Sequence, residues 1–340
     1  MDKVATLSAQ DRMELFVETA NRKRLPVSLI EKDFWVCWSL SRLFSLSSQP
    51  ASMIFKGGTS LSKVFSAINR FSEDVDLSLN REDLGFVQEK NPGQAPSRKK
   101  AQQLIAELSE TCKRVIRHEL LPSIEQSLTD IMGEPSDAWS LAIDKDDPQT
   151  VLFKYPRGEF GSSADAAYVQ PAVRLELGAR SDHWPAENHA VQPYAAEEFP
   201  ALFDTPQANV RTLAAERTFW EKATILHALH HRPTEKSFQA RLSRHYYDLA
   251  QLIDSSIGET AITQVDLLAT VVAHKQVFFA SGWASYDTAV PGTLRLLPPP
   301  ERQGEIASDY AAMREMMFDE PPSLDDVFQI LSVAEERING

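Results

Sequence analysis

The spacing of apolar residues divides this chain into a mixed first part and a helical second part. From Ser28 to Leu46, the residues Ile30, Phe34, Cys37 and Trp38 recur at helical spacing, which predicts a helix packed against a sheet. Ser28 stands where it would cap that helix, and Glu31 three residues on would close a capping box. Ser8 to Lys23 predicts a helix before it. Met53–Phe55 is a short apolar run and Val75–Leu79 alternates with period two, so both predict strands. A helix from about Ser60 to Ile68 joins them. Arg81 to Ser97, interrupted by Pro92, Gly93 and Pro96, reads as a loop. Lys99 to Met132 is a long helical pattern with a break near Pro122. Ala138–Ile143, Thr150–Tyr155 and Tyr168–Leu177 predict strands, the last two forming a hairpin across Arg157–Ser163. Ala179 to Phe203 is proline-rich without a clean period, and Val210–Leu213 predicts one more short strand. Leu213–Leu229, Ser237–Ser255, Thr263–Phe279, Asp309–Phe318 and the tail from Ser323 then predict helices. The expected fold class is α+β. A mixed-sheet domain with N-terminal helices spans residues 1–214, and a helical domain spans 215–340.

Composition narrows the setting. With 43% apolar and 24% charged residues the chain has material for a full core. No run approaches the ~20 apolar residues of a membrane span. Met1 to Arg24 is polar and amphipathic, unlike a signal peptide, and Cys37 and Cys112 sit in apolar helical patterns, as buried thiols do. A cytoplasmic protein without membrane contact is expected. The net charge of −13 argues against an extended grip on nucleic acid, which needs a basic footprint. The charge is uneven, however. Residues 297–340 carry ten acids against three arginines, whereas 227–247 hold Arg232, Lys236, Arg241 and Arg244 against Glu235 alone. That basic segment reads either as a surface for a small RNA end or as a solvated helix face.

The chemistry concentrates in residues 55–79, FKGGTSLSKVFSAINRFSEDVDLSL. Asp74 and Asp76, two apart on a strand, share one face while Val75 and Leu77 turn to the core. Neighbouring carboxylates repel unless a cation lies between them, and hard ions such as Mg²⁺ prefer oxygen ligands. Gly57 and Gly58 let the backbone approach a polyphosphate, and Thr59 and Ser60 open a helix whose first N–H groups are free. A nucleoside triphosphate held over two metals suits this layout. The structural alternatives are a solvent-facing carboxylate pair and plain helix capping by Thr59 and Ser60. Lys63, one turn further in, reads as a surface residue.

Gly57-Gly58 followed by Asp74-x-Asp76 resembles the first motif of the DNA polymerase β-type nucleotidyltransferase superfamily. The longer string GGTSL…RFSEDVDL resembles the AbiEii-like nucleotidyltransferase toxins of bacterial toxin–antitoxin and abortive-infection systems. Glu31–Val36, Val173–Leu177, Glu216–Lys222 and Arg244–Leu249 are similar to that family as well. The resemblance implies a polymerase β-like first domain. It implies Glu176 as a third carboxylate on a neighbouring strand, completing the site of the metal that activates the acceptor hydroxyl. Alternation alone puts Arg174 and Glu176 on one face, as in a plain cross-strand ion pair. The resemblance makes Lys222 the cation that neutralises departing pyrophosphate. It makes Asp248 a catalytic-site residue that orients Lys222. His227 and His231 have a zinc-compatible i, i+4 spacing, but neither a third ligand nor the acid of an HExxH motif accompanies them.

The protein so implied is an NTP-dependent nucleotidyltransferase using Mg²⁺ or Mn²⁺. Its catalytic residues are Asp74, Asp76, Glu176, Lys222 and Asp248. Asp74, Asp76 and Glu176 hold the metals, and Gly57, Gly58, Thr59, Ser60 and Lys222 hold the nucleotide. As a toxin it adds a nucleotide to an acceptor hydroxyl, with the 3′ end of tRNA as the expected RNA acceptor, and an antitoxin from an adjacent gene counters it. Two other readings stand beside this one. The first is a transferase acting on a small molecule, as antibiotic-adenylylating enzymes do, and the second is an NTP-binding interaction protein without catalysis.

Overall fold

The computed structural model describes residues 1–72, 74–158, 172–237 and 239–340. The chain divides into two compact units. Residues 1–64, 73–87 and 106–212 form the first, and residues 65–72, 88–105 and 213–340 form the second.

A seven-stranded mixed sheet organises the first unit. Its strands are β1 (Met53–Lys56), β2 (Asp74–Leu79), β3 (Ser140–Ile143), β4 (Thr150–Lys154), β5 (Ala172–Gly178), β6 (Ala186–Val191) and β7 (Ala208–Leu213), in the order β3-β4-β5-β2-β1-β7-β6. β2 runs antiparallel to β1 and parallel to β5, and β1 runs parallel to β7. The turn of the hairpin expected between β4 and β5 lies outside the described residues. The two strands pair antiparallel, from Thr150 opposite Glu176 to Lys154 opposite Ala172. Val75, Leu77, Val173, Leu175 and Leu177 are all buried on one face of β2 and β5, as period-two alternation requires.

Helices α1 (Asp2–Ala5), α2 (Ala9–Lys23), α3 (Val27–Phe44) and α4 (Gly57–Lys63) belong to this unit. α5 (Arg98–Val115) continues through a π turn at Ile116–Leu120 into α6 (Leu121–Met132). The break expected at Pro122 is therefore a widened turn, because the proline lacks an N–H and its ring crowds the carbonyl four residues back. α7 (Tyr194–Glu198) and β6 lie in the proline-rich stretch that has no legible period. α3 is buried almost all round. Trp35 stacks on Tyr155 at 5.6 Å and meets Phe153 edge-on at 5.8 Å, so the helix is fixed to β4 and the chain just after it by aromatic contact.

The expected capping box of α3 does not form. The helix starts at Val27 with Pro26 at its cap and no side-chain cap, and both Ser28 and Glu31 are buried. Glu31 instead accepts the N–H of Gly158 at 2.9 Å, and burial pushes its carboxyl up to about 7. The helix expected over Ser60–Ile68 is α4, which begins at Gly57 and ends at Lys63.

The second unit contains α8 (Ala215–His230), α9 (Ser243–Ile253), α10 (Ser256–Thr263), α11 (Val265–Phe278), α12 (Gln303–Ala312) and α13 (Leu324–Asn339). Trp220 on α8 donates its indole N–H to Ala261 O at 3.1 Å and lies edge-on to Phe219. Ser323 and Asp326 close a capping box on α13. Residues 65–72 join this unit through the Phe71 N–H bond to Met316 O at 2.7 Å. The helix expected from Ser237 starts only at Ser243, α10 stands as a separate element, and the helix expected at Asp309–Phe318 begins earlier, at Gln303. Among the described residues no helix is long and apolar enough to cross a membrane. Cys37 and Cys112 are free and buried.

His227 on α8 is fully buried. Its Nδ1 accepts the Arg295 N–H at 3.0 Å, so Nε2 carries the proton and donates to Ser285 O at 3.0 Å. Both ring nitrogens are therefore engaged by protein. Burial pushes its pKa down from 6.5 to about 4. Between these values the unfolded chain binds a proton that the folded one refuses, so stability falls as pH drops through that window. A His227→Gln variant should lose this part of the pH dependence, up to about 3 kcal/mol. Urea unfolding of parent and variant at pH 7 and pH 4.5 measures it.

Candidate active site

The strand register of the first unit assembles a polar face. Asp74 pairs with Arg174 and Asp76 with Glu176 across the parallel β2·β5 ladder. All four lie on the side opposite the buried Val75, Leu77, Val173 and Leu175. The side chains of Asp74, Asp76 and Glu176 are 21%, 30% and 39% exposed, so water and ligands reach each carboxylate. Arg174 stands among them. Its Nε lies 3.5 Å from Asp74 Oδ1 and 3.8 Å from Glu176 Oε1, and its Nη1 donates to Asp144 Oδ2 at 2.7 Å. Lys56 Nζ is 4.0 Å from Asp76 Oδ1. The Asp146 N–H and then Arg174 hold the Asp144 carboxyl below its usual range.

The turn from β1 into α4 closes against this face. Gly57 adopts φ 78°, a left-handed conformation that disfavours side chains. A Cβ there would lie 2.0 Å from Asp76 Oδ2. Gly57 is therefore required twice, by its dihedral and by its contact. Thr59 and Ser60 do not cap α4, whose cap residue is Lys56 with no side-chain cap. Thr59 Oγ1 donates to Asp74 O, and Ser60 Oγ donates to Gly57 O at 2.9 Å. The first bond ties the turn to the start of β2, and the second closes the turn on itself. Lys63 is not a surface residue. Its ammonium is buried, 2.7 Å from Asp33 Oδ1.

The donor set fits a hard cation in type: three carboxylates on one half-exposed face. They do not converge on one point. Among the described residues no group of three His, Cys, Asp or Glu side chains is close enough together to hold a metal ion. The guanidinium of Arg174 meets the charge of Asp74 and Glu176 instead.

Lys222 on α8 and Asp248 on α9 belong to the second unit, and the structure brings them together. Lys222 Nζ donates to Asp248 Oδ2 at 2.7 Å. Arg70 grips the same carboxylate with two bonds, Nε to Oδ1 at 2.6 Å and Nη2 to Oδ2 at 2.8 Å. All three residues are buried. Burial alone would raise the Asp248 pKa, but Arg70 and Lys222 more than offset it and hold the carboxyl well below its usual range. Burial, assisted by Arg70, pushes Lys222 down. Asp248 is thus an anchor whose two oxygens are both engaged by cations. Arg70 has no role legible in the chain's periodicity. Its signal was its place in the family-like string RFSEDVDL.

In the basic segment of residues 227–247, Arg232 and Lys236 lie over the Trp283 ring at 5.2 and 5.5 Å. Two of its four cations thus already have an aromatic partner.

Comparison with known proteins identifies relatives. The nucleotidyl transferase AbiEii toxin family, of type IV toxin–antitoxin systems, matches residues 38–331. A similar solved structure is MenT4, a nucleotidyltransferase toxin from Mycobacterium tuberculosis H37Rv. It is 15% identical, with a TM-score of 0.44 over 94% of this chain and 98% of that one. Comparison with curated protein sequences finds no match.

Two outcomes follow from this geometry. Gly57→Ala should leave the sheet folded but displace the Asp76 carboxylate, lowering nucleotidyl transfer by roughly 10²-fold. Circular dichroism and kcat on the same preparation check it. Asp248→Asn should leave Arg70 and Lys222 buried without their counter-charge and cost about 3–5 kcal/mol of stability, read by urea unfolding.

Proposed function

The chain belongs to the AbiEii nucleotidyltransferase toxin family, and from that premise we propose a metal-dependent transfer of NMP from an NTP to the 3′ end of tRNA. A nucleotidyltransferase toxin of a type IV toxin–antitoxin system has an NTP as substrate and an antitoxin as partner. We assign the transfer chemistry to residues 1–214, place the antitoxin in an adjacent gene, and place the protein in the cytoplasm, where NTPs and tRNA are found.

The observation that carries the reading is the half-exposed face on which Asp74, Asp76 and Glu176 lie beside the side-chain-free Gly57. On their donor chemistry, and not on convergence in this structure, we assign Asp74, Asp76 and Glu176 as the residues that would hold Mg²⁺ or Mn²⁺. When bound, the ions neutralise the charge on the reacting phosphate and ease loss of the acceptor hydroxyl's proton. The acceptor oxygen forms a bond to the α-phosphorus as the bond to the β-phosphate bridging oxygen breaks, and pyrophosphate leaves in line. Backbone N–H groups of Gly57, Gly58, Thr59 and Ser60 would hold the phosphates, since no Cβ at Gly57 keeps them away. Arg174, 3.5 Å from Asp74 and 3.8 Å from Glu176, offsets their charge and would share these carboxylates with a bound ion. In the second unit Asp248 fixes Lys222 through the 2.7 Å bond.

Asp76 is the cleanest residue to remove, because it is half-exposed while Asp248 is part of a buried cluster. Asp76→Ala should lower kcat by roughly 10³ or more with the fold intact. It should also relieve the growth arrest that the parent causes when expressed alone. Activity within tenfold of the parent would overturn the metal-ligand assignment. Incubation with each labelled NTP and total RNA, protein or small-molecule extract should label tRNA. Label in the small-molecule fraction alone would favour an antibiotic-type transferase, and nucleotide binding without transfer an interaction protein.

A further inference from the structure

α4 has seven residues, too few to hold its own shape in water, where helices under about 12 residues are marginal. Its position must come from tertiary contact. Leu61 is fully buried, and the hydroxyls of Thr59 and Ser60 bond backbone at the N-terminal end. At the other end the helix finishes on Lys63, and that ammonium is buried with only 7% of its side chain exposed.

Three elements meet at this charge. Asp33 on α3 accepts from Lys63 at 2.7 Å through Oδ1, and through Oδ2 accepts the backbone N–H of Tyr194 at 2.7 Å. Tyr194 opens α7, and its ring lies 3.7 Å beneath the Lys63 ammonium. The Asp33 side chain is 3% exposed, so water is nearly excluded from the pair. Apolar side chains of similar volume would often stabilise such a site as well or better, because two charges must give up their hydration to enter it. What an ion pair adds is direction. A carboxylate with one oxygen on an ammonium and the other on a backbone N–H accepts only one placement of its partners.

We propose that Asp33 and Lys63 are positioning residues for the catalytic turn: their ion pair sets where α4 sits and so where Gly57–Ser60 meets Asp76. The proposal rests on the reading of Gly57–Ser60 as the phosphate-holding turn. It also explains why the Glu31–Val36 segment accompanies the carboxylate motif in this chain, since Asp33 supplies the anchor that the short helix lacks.

The test uses the full chain carrying Asp33→Asn with Lys63→Gln, which removes both charges and keeps near-equal volumes. Amide hydrogen exchange of residues 57–64 should quicken at least tenfold, while Val75 and Leu175 in the sheet exchange as in the parent. The KM for NTP should rise at least tenfold with a smaller change in kcat, as expected when the phosphate cradle shifts and the carboxylates stay. A merely structural pair would lower the melting temperature and leave exchange of 57–64 and KM in step with the rest of the unit. A folded double variant with parental exchange over 57–64 and parental KM overturns the proposal. If that variant does not fold, Asp33→Leu with Lys63→Met supplies an apolar pair. It should fold and still show the raised KM and faster exchange, and parental values there overturn the proposal equally. Should the parent transfer no nucleotide at all, the functional reading fails, and hydrogen exchange alone still decides the role of the pair.

Discussion

The parallel pairing of β2 with β5 is the constraint on which the rest of the first unit depends. Side chains alternate along each strand, so burying Val75, Leu77, Val173, Leu175 and Leu177 forces Asp74, Asp76, Arg174 and Glu176 to the other face. Each buried aliphatic is worth roughly 1.5–3 kcal/mol, and a slip of one residue would expose the whole apolar set. Hydrophobic burial thus fixes the register, and the register places Glu176 beside Asp76. The polar face is a consequence of the apolar one.

The chain treats its charges in two ways. Asp248 with Arg70 and Lys222, and Asp33 with Lys63, are buried groups with their carboxylate oxygens engaged. Removing one partner from such a group strands the other in a medium that cannot solvate it, so each partner is costly to lose. Asp74, Asp76 and Glu176 are the reverse. They stay partly exposed and contact Arg174 and Lys56 at 3.5–4.0 Å. The buried groups join elements within each unit, and the exposed face stays open to solvent.

Arg174 belongs to both patterns. Its firm bond is to Asp144 at 2.7 Å, and its approaches to Asp74 and Glu176 are longer. A guanidinium presents several donors in a plane, so one residue can remain bound to Asp144 while its other contacts loosen. Arg174 thereby offsets part of the negative charge that Asp74 and Glu176 bring to one face.

The α+β class, the strands β1, β2, β4 and β7 to within a residue or two, and the shared face of Asp74 and Asp76 are legible in the sequence alone. Each of these follows from a period of two or from residues a few positions apart, and such patterns need no knowledge of what lies across the fold. The helix starts fared less well. Ser28 and Glu31 carry the letters of a capping box, but both are buried, and Glu31 bonds Gly158, 127 positions away. Lys63 has the sequence setting of a surface lysine, and Asp33, thirty positions earlier, makes it an interior one. Arg70 gains its meaning only from Asp248, 178 positions on. The sequence by itself determined which side of each strand is polar and where the backbone turns at glycine. Only the tertiary structure decided which charges are buried and what each one holds, because the partner of a buried charge is chosen by strand register and helix packing, and neither is written in the neighbours along the chain.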